Sequence, residues 1–316
     1  MVFSLLSSAL LTFVSTWIPD LSVLIAIGFF KGFLISGVSA VALAYLTEEV
    51  EISSVALAIS MYLSGNTIGG LSGRISATIL AGEYGWKNAV MIIGIISLIL
   101  GLIFWKIFPG SRFFHPQKID YSLKIKQMRR FLADPFLLSL YCIAAVIMGT
   151  FVSIYNYLSF RLEAPPFSLS HYFIALIFLM YIFGVFGTML TSYLSKYYEK
   201  RNILKYSILT MFASLLLFYS QNIYLLILGL ASFTLCFFSA HTMASQMVAI
   251  RAKHGKSSAT SIYWLFYYFG SSILGSGTGY LLHATSWTFF VSLLASILFI
   301  AFLLSGKLLL FSKQPL

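Results

Sequence analysis

Ten stretches of this 316-residue chain are apolar for long enough to cross a bilayer, and almost nothing lies between them. They run near residues 2–18, 22–46, 55–81, 87–108, 136–159, 171–194, 206–220, 223–248, 258–282 and 287–306. A spanning helix needs about 20 apolar residues, so ten of them leave no room for a soluble domain. Composition agrees: 9% of residues are charged, against about 25% in soluble domains. Inside hydrocarbon each backbone amide must be satisfied within its own segment, which leaves helices as the way to use such runs. The reading is an all-α polytopic membrane protein. The first run begins at Met1 without a basic leader and is read as a retained helix. Cys142 and Cys236 lie within apolar runs, where a small weakly polar side chain packs well, and imply no disulfide framework.

Orientation follows from Lys and Arg, which accumulate in cytoplasmic loops. With Met1 taken as cytoplasmic, sixteen of the twenty basic residues fall on that side and only Lys87 and Arg161 on the other. The asymmetry holds through every reversal, so an even number of spans and two cytoplasmic termini are expected. The net charge of +11 then reports topology and contact with an anionic leaflet, with no need of a nucleic-acid partner. The long connection is 109–135, a basic cytoplasmic linker. It separates an incomplete N-terminal bundle of four helices, 1–108, from a C-terminal six-helix bundle, 136–316.

That four-plus-six division becomes informative once repeats are sought. Ser53–Gly70 aligns without gaps to Ser258–Gly275 at a shift of 205, matching Ser53, Tyr62, Gly65, Ile68 and Gly70 to Ser258, Tyr267, Gly270, Ile273 and Gly275. In each copy a tryptophan-bearing outer turn (Trp86, Trp287) and a last apolar span follow. The repeating unit is six helices long, and 134–205 has no counterpart in the first half. The expectation is a six-plus-six design lacking its first two helices.

Parallel repeats of six helices are the plan of major facilitator transporters, and two stretches resemble that superfamily directly. GVSAVALAYLTEE from Gly37 to Glu49 is similar to its fourth helix with an acidic cytoplasmic end. SGNTIGGLSGR from Ser64 to Arg74 is similar to the glycine-rich fifth helix of its drug and sugar efflux, proton-antiporter-like branch. The resemblance implies a secondary transporter working by alternating access, with export of a small organic solute or drug expected over import. It implies no cofactor and no enzymatic activity, and places the chain in the plasma or bacterial inner membrane, among lipids, with a monomer expected. The sequence also departs from the pattern. Where the fourth-helix motif has arginine, glutamine and glycine, this chain has Gly28, Lys31 and Gly32, and Asn66 and Thr67 stand where a proline is usual.

An ionisable residue inside hydrocarbon is a functional candidate by default. Lys31 and Arg74 qualify, both expected in the outer halves of neighbouring helices, where they would attract an anion; the alternative is that their long stems snorkel to the outer surface. Asn66, Thr67, Tyr155, Asn156, His241, Gln246, Tyr263, Trp264 and Tyr267 are candidates for a central cavity, their polar tips orienting a solute whose apolar body the rings bury. Taken singly, such residues are more often interhelical hydrogen bonds. His241 stands out because imidazole titrates near neutrality. Gly65, Gly69, Gly70 and Gly73, and in the second half Gly270 and Gly275, are read as close-packing positions on helices that slide during transport. No Asp or Glu falls well inside a span. Proton coupling therefore has three routes: an acid in the missing helices, which is preferred, His241 in its place, or no coupling.

Three other readings compete. A ten-helix drug and metabolite carrier predicts five-plus-five repeats near half the chain length, not a shift of 205. A membrane enzyme on lipid-linked substrates would want clustered acids or histidines at one interface, and Glu48, Glu49 and Glu51 have no histidine or metal-ligand spacing beside them. A remnant that inserts without transporting is the last. Nucleotide hydrolysis and metal binding find no motif.

Overall fold

Short polar residues at the ends of apolar runs set several helix starts. Asp20, directly after Pro19, accepts the Val23 amide at 3.0 Å and opens α2, Leu21–Ser36. Asn222 does the same for α10, Ile223–Arg251, through the Tyr224 amide at 2.9 Å. Asp134, followed by Pro135 at the first helical position, accepts from Phe136 and Leu137 and opens α6, Pro135–Glu163. Each carboxylate or amide oxygen takes up amides that the first turn leaves unpaired.

The computed structural model describes residues 1–111, 121–252 and 255–311, so residues 112–120 of the predicted linker, and the side chain of Thr67, lie outside the described residues. The other helices are α1 (Val2–Val14), α3 (Val38–Glu49), α4 (Ile52–Ile107), α5 (Tyr121–Ala133), α7 (His171–Ile177), α8 (Ile182–Leu194), α9 (Lys200–Leu216), α11 (Lys256–Ala284) and α12 (Trp287–Phe311). Among the described residues there is no strand. Helix stands at each of the ten predicted positions. Among the described residues six segments are long and apolar enough to cross a membrane, and two shorter apolar helices, Val2–Trp17 and Leu21–Ser36, accompany them.

Three details differ from the sequence reading. The run 22–46 is interrupted for one residue at Gly37, whose φ of −88° and ψ of −13° make a bend between α2 and α3. The run 171–194 contains a tight turn at Phe178–Tyr181 between α7 and α8. The linker holds α5, which the apolar-run criterion passed over because four of its thirteen residues are cations.

The chain divides into two compact units, one from Met1–Lys118 with His171–Phe178, the other from Ile119–Ser170 with Leu179–Leu316. In the first, α4 counts 56 residues but is non-helical at Gly85, with φ 75° and ψ 161°. A straight helix would hold Tyr62 and Phe104 some 60 Å apart at about 1.5 Å per residue. Both instead line one cavity, so the chain reverses at Gly85, in the left-handed region that favours glycine. The two arms, 52–84 and 86–107, are the predicted third and fourth spans. The second arm runs antiparallel to α1: Gly94 lies against the backbone of Phe13 and Gly101 against the side chain of Leu6.

In the second unit α6 is the central helix, with sixteen buried residues, among them Leu140, Ile143, Ile147 and Ile154. It packs on α11 at glycines of both helices: a Cβ on Gly270 would collide with the Ala145 carbonyl, one on Gly149 with Leu274. Polar contacts line the crossing, where Ser153 donates to the Leu274 carbonyl at 3.0 Å and Asn156 to that of Gly275 at 3.4 Å. Across α8 and α10, Gly187 lies against the Leu235 carbonyl while Ser239 donates to the Gly187 carbonyl at 3.1 Å.

Candidate functional site

Aromatic residues four apart stand on one face of a helix, and two such pairs build the main cluster of the second unit. Phe237 and His241 project from α10, Tyr263 and Tyr267 from α11, with Trp264 beside them. The His241 ring centroid lies 4.8 Å from that of Tyr267, 5.4 Å from Trp264 and 5.6 Å from Tyr263. Tyr263 is fully buried, and its hydroxyl is 2.9 Å from His241 Nδ1 and 3.3 Å from the His241 carbonyl. Two arrangements satisfy this geometry. Tyr263 donates to Nδ1, or it donates to the carbonyl and accepts from a protonated Nδ1. The tautomer of His241 thus decides whether Nε2 offers a proton or a lone pair.

The cluster continues along α6. Phe151 stacks on Phe237 with centroids 3.9 Å apart, and Tyr155, also fully buried, shares a 2.7 Å hydrogen bond with Thr234. Tyr181 closes on Tyr155 at 4.6 Å. Sequence reasoning named Tyr155, His241, Tyr263, Trp264 and Tyr267 but missed Phe151, Tyr181 and Thr234. The four-residue spacing of Phe151 and Tyr155, matching that of Phe237 and His241, was the available signal for the first. Asn156, one residue on, points elsewhere, toward Gly275 on α11.

The first unit holds a separate cavity of about 530 Å³, within the range of small-molecule pockets. Its polar atoms come from Ser39, Tyr45, Tyr62 and Asn66, set among apolar residues such as Leu5, Ile35 and Phe104. Of the predicted residues whose side chains are described, Asn66 alone lines it. Tyr45 donates to the Pro109 carbonyl at 3.1 Å, and Glu49 accepts from Ser111 at 2.5 Å, so the end of α3 is tied to the end of α4. Lys31 sits half-buried on α2. The Arg74 guanidinium stands 5.0 Å over the Phe178 ring, in cation–π range. Among the described residues, no neighbour of their own unit lies within 4 Å of a Cβ placed on Gly65, Gly69, Gly70 or Gly73, whereas one on Gly275 would meet Val152. Among the described residues no group of His, Cys, Asp or Glu has the geometry of a metal site.

The family described as Major Facilitator Superfamily matches residues 1–275. The chain belongs to the major facilitator superfamily. It is therefore a permease and not an enzyme. The match is to the whole superfamily and does not single out a branch. An "Uncharacterized transporter" of Buchnera aphidicola subsp. Schizaphis graminum is 38% identical over 305 residues, 96% of this chain and 74% of that one. The "Uncharacterized MFS-type transporter YybF" of Bacillus subtilis is 34% identical over 99% of this chain and 77% of its own length. The "Inner membrane transport protein YnfM" of Escherichia coli is 32% identical over 98% and 74%. In three dimensions the superfamily fold is shared with a bacterial homologue of the human lysosomal transporter Spinster in an inward-facing, unoccupied conformation. That likeness has a TM-score of 0.78 at 16% identity and covers 100% of this chain and 85% of the other.

Proposed function

We propose that this superfamily member is a secondary transporter that exports a small organic solute by alternating access, with both termini cytoplasmic in a plasma or inner membrane. The His241, Tyr263, Trp264 and Tyr267 cluster carries the reading: it offers π faces for an apolar or aromatic body and one imidazole hydrogen-bonded to Tyr263. The name of the Escherichia coli relative, an inner membrane transport protein, supports the location. The sequence resemblance to efflux permeases supports the direction. In this reading α1 to α4 correspond to helices three to six of a six-plus-six plan, and α6 to α12 to the second six. Glycines 65, 69, 70 and 73, with 270 and 275, are the faces on which helices slide. Lys31, Asn66 and Arg74 are the solute-contact candidates of the first unit, and His241, Tyr263 and Tyr267 those of the second, while Asn156 is engaged at the crossing of α6 on α11.

Proton coupling through the described residues would fall to His241, since Asp20, Glu83, Asp134, Glu163 and Glu199 all stand at helix ends or just outside them. Everted membrane vesicles energised by respiration test the proposal, with acridine-orange quenching as the readout. Addition of aromatic amines, organic cations or pentoses, one class at a time, should release the quench when a class is exchanged for protons. Lys31→Ala should abolish the response at an unchanged membrane level of protein; an undiminished response rejects a role for Lys31. No response from any class in wild-type vesicles, together with no accumulation of the same solutes in vesicles lacking a gradient, would favour a non-transporting remnant.

A further inference from the structure

The helix α5 is the part of the second unit that the transport reading leaves unused, and its residues sort into three sectors. At 100° per residue, Gln127 and Phe131 point one way. Phe131 is 4% exposed, its ring edge lies near Gly255, and Gln127 approaches Gly255 and accepts from Ser258 at 3.5 Å. This sector holds α5 to the start of α11. Ile125 and Leu132, seven residues apart and so on one line, occupy a flank roughly 130° round; both are exposed, 53% and 39%. Lys126, Arg129 and Arg130 share the sector beyond with Ser122 and Leu123, all exposed, and Lys124 adds a fourth cation in the first turn. No acidic residue lies within α5. Among the described residues, the carboxylate that adjoins α5, Asp134, is bound to Arg251 at 2.9 Å and to the first amides of α6.

The level of α5 relative to the bilayer follows from its neighbour. Only Asp134 separates it from α6, a candidate span of 29 residues. Such a helix is about 43 Å long, more than the ~30 Å hydrocarbon core and close to the 40–45 Å that includes both headgroup layers. The start of α6, and α5 with it, stands at headgroup depth. A helix fixed there by one face, with an apolar flank beside a basic one, has the pattern of an interfacial helix.

We infer that α5 docks on anionic phospholipid headgroups of the leaflet it borders, with Ile125 and Leu132 among the upper acyl chains and Lys126, Arg129 and Arg130 on the phosphates. The inference rests on the membrane-spanning fold and is independent of which solute is carried. Each Lys or Arg at an anionic surface favours contact roughly fivefold, so three together give about a hundredfold. Anionic lipid would thereby clamp the segment that precedes α6.

The test uses the full chain with Cys142→Ser and Cys236→Ala, carrying a bimane label at Ile125→Cys, Leu132→Cys or Ser122→Cys, reconstituted in phosphatidylcholine with or without phosphatidylglycerol. Doxyl-labelled lipid should quench the labels at 125 and 132 and spare the label at 122, and phosphatidylglycerol should increase the quenching. Lys126→Gln, Arg129→Gln and Arg130→Gln combined should remove that increase, while the label at 122 reports that the variant has inserted and folded as before. Labels at 125 and 132 as open to aqueous iodide as the one at 122 would overturn the inference, as would quenching indifferent to phosphatidylglycerol or to the three substitutions. Inorganic phosphate alone producing the same protection in phosphatidylcholine would overturn it too, by making the site one for a free anion.

Discussion

Two glycine-rich helices, aligned by the internal repeat, use their glycines differently. On α11, Gly270 touches the Ala145 carbonyl and Gly275 the side chain of Val152, so the missing Cβ atoms are what lets α11 lie on α6. On the first arm of α4, a Cβ on Gly65, Gly69, Gly70 or Gly73 would meet no neighbour among the described residues of its own unit. The wider contrast is the same: α6 has sixteen buried residues and α2, of sixteen, has none. Small residues in a membrane helix permit a close approach without requiring one. The same motif therefore reads as a finished contact in one unit and an open face in the other.

Paired substitutions sharpen that contrast. The largest effect belongs to the helix caps. Asp134→Ala removes a buried cap and strands Arg251, so it should destabilise by about 3–5 kcal/mol; the exposed cap of the first unit, Asp20→Ala, should lose only about 1 kcal/mol. Unfolding in mixed micelles with increasing sodium dodecyl sulfate measures both, and equal losses would break the contrast. Next come the glycines. Gly270→Ala should destabilise by about 1–3 kcal/mol through overpacking, whereas Gly69→Ala should leave stability unchanged or raise it by up to about 1 kcal/mol, because alanine is the better helix former. A loss at Gly69 as large as at Gly270 would mean that its face is packed.

Smaller effects test hydroxyls within α6. Tyr155→Phe leaves the buried Thr234 hydroxyl without its partner and should destabilise by about 1–2 kcal/mol. Tyr141→Phe should be neutral within about 0.5 kcal/mol, since the Tyr141 hydroxyl is buried with no hydrogen-bond partner among the described residues and its removal strands nothing there. A Tyr141→Phe loss matching that of Tyr155→Phe would show that an unseen group, such as a water, satisfies it.

Helix at the ten predicted positions was legible because hydrocarbon imposes a length on every helix that crosses it; the caps at Asp20, Asp134 and Asn222 went unread, although short polar side chains before apolar runs have a local job. The aromatic cluster was partly legible, since the four-residue spacing within α11 survives any packing. The partnership of Tyr155 with Thr234 was not, because 79 residues separate them and nothing local fixes which face of α10 meets α6. Nor could the repeat tell which glycines are covered, since identical stripes demand different neighbours only in space. The helix α5 escaped because its apolar residues are too few for a span and too scattered for a run, and only its packed and open sides give them meaning.

Gly85 has a consequence for biosynthesis. With a single left-handed residue between arms of 33 and 22 residues, neither arm can leave the insertion machinery in an orientation of its own. The two arms form one hairpin, and the basic residues from Lys106 in the last turn of the second arm onward favour one direction for both. Any side chain other than glycine at position 85 would resist this conformation by about 1–3 kcal/mol, and what it would jeopardise is the inheritance of orientation from one arm to the next.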